Sequence, residues 1–138
     1  MKSLLAACAA ATLVLSAGAA HAEVSGVWTI PGSPLMLQIA PCGANLCGAI
    51  LSTPKLKADP GAKDEKNHNP ALRTRPLRGL YMLYGFKGGP AAWTGGSIYL
   101  PGNGDTYPAT LALIDAVTLN LKACKGVFCK TQVLKKVR

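Results

Sequence analysis

Apolar and polar residues alternate at every second position in several short segments of the chain. The clearest case runs through Val117, Leu119, Leu121 and Ala123, and a polar residue separates each of them from the next. The segment 35–39 shows the same pattern. Because successive side chains of a strand point to opposite faces, this alternation predicts half-buried β-strands.

The stretch 93–107 predicts two further strands joined by a tight turn. β-branched and aromatic residues favour a strand on both sides of the sequence 101–104, where Pro, Asn and two Gly residues supply the turn. Aromatic side chains make the largest apolar contacts, so we expect this hairpin to form a main part of the core. The expected aromatic core consists of Trp28, Trp93 and Tyr107.

The whole chain predicts about eight short strands with turn residues between them and almost no helix. The longest irregular stretch, 54–76, is rich in charge, Pro and Gly, and Asn69 followed by Pro70 predicts at most one short helical turn there. We expect an all-β fold, a single antiparallel up-and-down β-barrel, because successive hairpins join directly and closure removes exposed strand edges. The other strand candidates are 26–30, 46–53, 79–86 and 128–137.

Residues 1–22 predict a secretory signal peptide. Lys2 precedes an apolar run at 4–17, and a small-x-small cleavage site ends at Ala22. The apolar run is short for a bilayer span, and no stop-transfer pattern follows it. Cleavage between Ala22 and Glu23 would leave one domain, 23–138, in the periplasm or secreted, and we expect no integral membrane protein.

The charge of the processed chain favours anionic partners. Residues 1–22 contain one charged side chain, Lys2. Their removal leaves fourteen basic and six acidic side chains and a net charge of +8. Such a balance favours anionic surfaces such as lipid headgroups, lipopolysaccharide or acidic proteins. The basic residues are spread from Lys55 to Arg138 without a dense run. The alternative is therefore that they only keep the protein soluble and bind no partner. No nucleic-acid partner is expected.

Four cysteines remain after Cys8 is removed with the signal peptide, and they form two closely spaced pairs. An even number of cysteines in an exported chain implies disulfides. Four residues separate the members of each pair, which fits a bridge across the base of a hairpin loop. The expected bridges are Cys42–Cys47 and Cys124–Cys129. The alternative, a four-cysteine zinc site, usually has two-residue spacing and a reducing compartment.

The polar residues show no catalytic arrangement. His68 is the one histidine left after processing, and no Ser or Cys nucleophile can be assigned beside it. Asp64 and Glu65 are adjacent, so they point in different directions and do not form an acid/base pair. We therefore expect no enzyme, no cofactor and no metal site.

Arginines at the end of the irregular stretch are the best candidates for ligand contacts. Guanidinium groups bind carboxylate and phosphate in a bidentate manner, and this stretch is the one expected to cover a barrel mouth. The candidate ligand-binding residues are Arg73, Arg75, Arg78, Tyr81 and Tyr99. The alternative is structural: an arginine packed on an aromatic ring and paired with Asp64, which would tie the loop to the barrel.

Several motifs together resemble one bacterial family, the small exported proteins known as domain of unknown function 2147. They follow one another in the family's order and cover essentially all of the chain after residue 22. The resemblance implies a lipocalin-like β-barrel in the cell envelope and a family without an established activity. The matching segments are 42–50, Asp64 with Asn67, 71–80, 93–107 and 124–132.

Three departures from the family pattern bear on function. The usual Asn-Pro-Asp-Pro stands here as 67–70, with His68 and Asn69 in place of Pro and Asp. Acidic residues common around the turn at 100–103 are absent. The closing Gln-x-Trp-x-Arg stands as 132–136, with Leu and Lys in place of Trp and Arg. If those residues serve a shared ligand, this chain binds it differently or not at all.

Two hypotheses of different classes follow. In the first, the barrel binds a small, partly apolar or anionic molecule, since barrels of about eight strands are either filled or hold one small ligand. In the second, a basic outer face contacts an anionic envelope component. The contents of the barrel decide between them.

Overall fold

Eight antiparallel strands form a closed barrel in which each strand pairs with the next in sequence and the last pairs with the first. This computed structural model describes residues 9–11 and 23–138. The fold class predicted from the alternating pattern is confirmed. The strands are β1 (Gly26–Thr29), β2 (Met36–Cys42), β3 (Asn45–Ser52), β4 (Tyr81–Gly88), β5 (Ala92–Leu100), β6 (Asp105–Asp115), β7 (Thr118–Lys125) and β8 (Phe128–Lys136).

The predicted signal peptide lies outside the described residues, apart from 9–11. Across the residues that are described, no helix has both the length and the apolar character needed to cross a membrane.

Two tryptophans and Phe86 fill part of the barrel interior. Trp28, Trp93 and Phe86 are fully buried, and the Trp28 indole Nε1 donates a hydrogen bond to the Val24 carbonyl at 2.8 Å. Gly96 makes room for the phenylalanine, because a Cβ at this position would lie 2.3 Å from the Phe86 ring. Tyr107, the third residue of the expected aromatic core, is only half-buried and packs at the margin of the core.

The barrel closes over a short distance. The first strand, β1, has four residues. Two of them pair with β8: Trp28 is opposite Lys136 and Thr29 is opposite Lys135. Among the described residues, 128–134 of β8 therefore pair with β7 alone. The register between β6 and β7 begins at Ala109, directly after Pro108, whose nitrogen has no hydrogen to donate. The end of the β7–β8 hairpin that carries its turn thus extends past β6 and β1 as a two-stranded ribbon.

Both predicted disulfides are confirmed, Cys42–Cys47 in the β2–β3 hairpin and Cys124–Cys129 in the β7–β8 hairpin. Cys124 and Cys129 stand directly opposite each other, whereas Cys42 is opposite Asn45 and bridges diagonally to Cys47, two residues further along β3. Disulfides persist in oxidising compartments, so the pairs indicate an oxidising, exported environment.

The long loop between β3 and β4 contains two short helical turns. The predicted one is a 3-10 turn at Pro70–Leu72, and the Asn69 side chain accepts a hydrogen bond from the Ala71 N–H at 3.1 Å. The structure adds a second, α1 (Pro54–Ala58), capped by Thr53. Thr53 followed by Pro54 is the same start signal as Asn69 followed by Pro70, and the burial of Leu56 holds the turn in place.

Candidate functional site

A buried carboxylate fixes the long loop to the barrel wall. Asp64 has no exposed surface. Its Oδ1 accepts a hydrogen bond from the Tyr99 hydroxyl at 2.6 Å, and its Oδ2 accepts from Asn67 Nδ2 and from Arg75 Nε, both at 2.9 Å. The Arg75 guanidinium also lies 5.5 Å from the centre of the Tyr99 ring. Since Tyr99 belongs to β5, these contacts bind the loop to the sheet.

The contacts within this cluster shift the pKa values of Asp64 and Tyr99 in opposite directions. Burial alone raises the pKa of Asp64, but the hydrogen bonds from Tyr99, Asn67 and Arg75, with the charge of Arg75, hold it below its usual value. Burial and the neighbouring Asp64 carboxylate raise the pKa of Tyr99. At neutral pH the carboxylate is therefore charged and the phenol protonated. The structural alternative foreseen for the arginines describes Arg75 in this structure.

The three predicted arginines have different surroundings. Arg73 Nε donates to the Asn67 carbonyl at 2.8 Å, within the loop. Arg78 is exposed. Only Arg75 of the three lines the larger cleft described next.

A cleft of about 910 Å³ separates the long loop from β4, β5 and β6. We call it the tyrosine cleft because four tyrosines line it. Within it His68 Nε2 lies 3.4 Å from Asp105 Oδ1 and Arg75 pairs with Asp64, whereas Lys125 has no ion-pair partner among the described residues. The Tyr107 hydroxyl donates to Asp105 Oδ2 at 3.1 Å, which raises the pKa of Tyr107. The lining residues are Asn67, His68, Asn69, Leu72, Arg75, Leu80, Tyr81, Tyr84, Tyr99, Gly104, Asp105, Thr106, Tyr107 and Lys125.

A second concavity lies inside the barrel. This barrel cavity has a volume of about 240 Å³, and its walls are apolar except for Lys130 and Gln132 of β8. It adjoins a groove of about 590 Å³ beneath the long loop, here called the mouth groove, with which it shares three lining residues. The shared residues are Leu35, Met82 and Leu100. The other cavity residues are Ile30, Leu37, Ile98, Tyr107, Leu121, Ala123 and Leu134.

Lys130 and Gln132 are residues that the sequence analysis missed. On β8 they share one face with the buried Leu134, and they pair with Ala123 and Leu121 of β7. The pairing turns Lys130 and Gln132 to the same side of the sheet as Leu121. Lys130 is exposed and Gln132 is half-buried, so both lie at the rim of the cavity. Polar residues on an inward face near a strand end are the signal that would have revealed a lined barrel mouth.

The sequence from Gly26 to Lys136 matches the family model described as uncharacterized protein conserved in bacteria (DUF2147). The chain belongs to the DUF2147 family. No curated protein shows significant sequence similarity to it. A solved structure, described as protein HP1028 from the human pathogen Helicobacter pylori and as belonging to the lipocalin family, is similar with a TM-score of 0.71. It is 20% identical, and the alignment covers 83% of this chain and 82% of that one. This likeness concerns the fold.

Two positions at which this DUF2147 protein departs from the family pattern lie on β8, near the line where the barrel closes. Leu134 is buried in the core. Lys136 lies with its Nζ 5.5 Å from the Trp28 ring and donates to the Glu23 carbonyl at 2.7 Å. The Lys136 ammonium over the Trp28 ring joins the last strand to the first.

Among the described residues of this DUF2147 protein, no three His, Cys, Asp or Glu side chains come close enough to hold a metal ion. The four cysteines among the described residues are used in disulfides. His68 is exposed and its nearest charged partner is Asp105.

Proposed function

We propose that this DUF2147 protein is an exported binding protein that holds a small, partly apolar and anionic molecule at the mouth of its barrel. The observation that carries the proposal is the largely apolar barrel cavity next to the mouth groove, with which it shares Leu35, Met82 and Leu100. Binding sites for small molecules are typically concave, mostly apolar, and equipped with a few polar groups that fix orientation. The two adjoining concavities have this composition.

Lysines supply the anion-binding part of the proposed site. Lys130 lines the barrel cavity, and Lys66 lines the mouth groove. Neither has an ion-pair partner among the described residues, whereas Lys55, which also lines the groove, is 3.1 Å from Glu65. An anionic group of the ligand would therefore contact Lys130 or Lys66 while its apolar part occupies the cavity.

The tyrosine cleft is the neighbouring site, and Tyr107 lines both it and the barrel cavity. Arg75, Tyr81 and Tyr99 line the cleft, so a ligand contact by any of them would extend the site outward past Tyr107. Such contacts, and any by Arg73 and Arg78, stay predictions.

Filling the cavity tests the proposal. We would replace Ala123 with Phe, because Ala123 lines the cavity and a larger side chain there would occupy its space. The probe is 1-anilinonaphthalene-8-sulfonate, which is apolar and carries one negative charge. We expect wild-type protein to bind it and Ala123→Phe to lose binding. Lys130→Gln should weaken binding about tenfold, since a hydrogen bond to a charged group contributes roughly that much.

Two controls separate this result from unfolding and from the tyrosine cleft. Ala116→Phe places the same side chain at an exposed turn at the other end of the barrel, and should bind the probe as wild type does. Tyr81→Ser alters the tyrosine cleft alone and should also retain binding. Undiminished binding by folded Ala123→Phe would refute the cavity as the site, and loss in Tyr81→Ser would move it to the cleft.

A further inference from the structure

The most exposed large apolar side chains among the described residues lie next to each other at the end of the β7–β8 hairpin. Val127 is 90% exposed and Phe128 is 80% exposed, more than any other large apolar residue described. A single exposed apolar residue is ordinary, but a phenylalanine held almost wholly in water beside a valine indicates a contact surface. We call residues 124–129 the hairpin tip.

The hairpin tip extends beyond the strand pairs that β7 and β8 make with their other neighbours. Residues 128–134 of β8 pair only with β7, and β7 pairs with β6 only up to Ala123. A two-stranded ribbon alone is marginally stable in water, and here the Cys124–Cys129 bridge closes it. The apolar pair is thus presented on a cross-linked support that projects from the molecule.

Positive charge surrounds the tip. Lys122, Lys125 and Lys130 are exposed and lie within nine residues of one another. No acidic residue occurs after Asp115 in the sequence, and none of the three lysines has an ion-pair partner among the described residues. The surface that complements the tip is therefore negatively charged around an apolar centre.

We propose that the hairpin tip docks on the surface of a bilayer containing anionic phospholipid, with Val127 and Phe128 below the headgroups and the lysines at the phosphates. Lysine attracts anionic headgroups, and its long stem lies along apolar surface while its ammonium stays in water. Apolar side chains at the same surface enter the boundary of the acyl region. An acidic protein partner is less suitable, because two side chains cover far less area than a specific protein interface needs.

Docking would bring the barrel mouth to the membrane. Lys130 flanks the tip and also lines the barrel cavity, so the two features share one end of the barrel. The inference does not depend on a ligand in the cavity, because the tip and the cavity are tested by different variants.

A tryptophan at the tip reports insertion directly. The two native tryptophans, Trp28 and Trp93, are fully buried, so their emission gives a constant background. We expect Phe128→Trp to shift its fluorescence to the blue on vesicles of equimolar phosphatidylglycerol and phosphatidylethanolamine. On vesicles of phosphatidylcholine the shift should be small, and added salt should reduce it because the lysine contribution is screened. Val117→Trp, at an exposed apolar turn at the opposite end of the barrel, should show no shift.

Vesicle co-sedimentation measures the affinity without an added tryptophan. Replacing Val127 and Phe128 together with Ser should lower binding to the anionic vesicles about tenfold or more. The matched double variant Ile114→Ser and Val117→Ser removes an exposed apolar pair from the other end and should bind as wild type does. Equal binding by both double variants, the same blue shift at positions 117 and 128, or no binding by wild type would each overturn the proposal. Binding to an acidic protein but not to vesicles would overturn it as well.

Discussion

At the scale of single residues, Asp64 determines how the long loop sits on the barrel. The carboxylate is buried, yet all its hydrogen bonds come from groups that the loop and β5 supply. Replacement by Asn keeps the shape but removes the charge that Arg75 faces. We expect Asp64→Asn to lower the free energy of unfolding by about 2 kcal/mol at neutral pH, since Arg75 loses its anionic partner but retains some solvent contact. Urea unfolding monitored by tryptophan fluorescence measures this.

The effect of this substitution should depend on pH. The folded-state pKa of Asp64 is lowered, so its charge contributes stability that is fully present above the ordinary aspartate pKa of about 4. That contribution is lost as the pH falls through the lowered value. The difference between wild type and Asp64→Asn should therefore shrink on acidification below about pH 4. A constant difference would contradict the lowered pKa. Tyr107→Phe, which removes the part-buried hydrogen bond to Asp105, serves as the matched control and should change stability less than Asp64→Asn.

At the scale of elements, the two disulfides have different surroundings. The end of the β7–β8 hairpin has no neighbour on the β8 side, whereas the β2–β3 hairpin pairs with β4 as far as Leu46 opposite Phe86. Replacing Cys124 and Cys129 with Ser should therefore increase amide hydrogen exchange mainly in 122–131. A bridge that closes so small a loop contributes at most about 2 kcal/mol, so the barrel should remain folded.

The matched control replaces Cys42 and Cys47 with Ser. It removes a bridge of the same sequence separation and should leave exchange in the β7–β8 hairpin unchanged. If loss of Cys124–Cys129 instead unfolds the whole barrel, the hairpin tip is part of the cooperative core and not a supported extension.

At the scale of the whole molecule, the order of strands could be predicted but the site could not. Alternation along 119–123 predicts both a strand and its inward face, because each depends on near neighbours in sequence, whereas Val117 is exposed in the turn before β7. The contact of Asp64 with Tyr99 joins residues 35 positions apart, and only the folded register brings them together. The chemistry of an arginine side chain can be read from the sequence alone. The place of Lys130 at the barrel cavity, by contrast, depends on which residue of β7 it faces. Cavity size depends on how side chains fill the interior, which a linear pattern does not specify.

Closure of the barrel depends on a glycine in its shortest strand. Gly26 has φ +142°, and a Cβ there would lie 2.5 Å from the Arg138 carbonyl oxygen. That oxygen accepts a hydrogen bond from the Val27 N–H at 2.6 Å, and Val137 N–H donates to the Val27 carbonyl at 2.7 Å. Gly26→Ala would therefore separate the first and last strands. We expect a loss of about 2 kcal/mol in the free energy of unfolding and faster amide exchange at Val27 and Val137.

Gly32→Ala serves as the control. It separates the effect of disrupting the contact between the first and last strands from the backbone strain that any Gly→Ala change at positive φ causes. Gly32 also has a positive φ, +77°, but nothing lies within 4 Å of the position that its Cβ would take. This variant should lose stability through backbone strain alone while exchange at Val27 and Val137 stays slow. If exchange at those amides is equally slow in Gly26→Ala, the barrel is held closed by the side chains around Trp28, and the two backbone bonds contribute little. The Lys136 ammonium over the Trp28 ring would then be the contact to remove next, by Lys136→Gln.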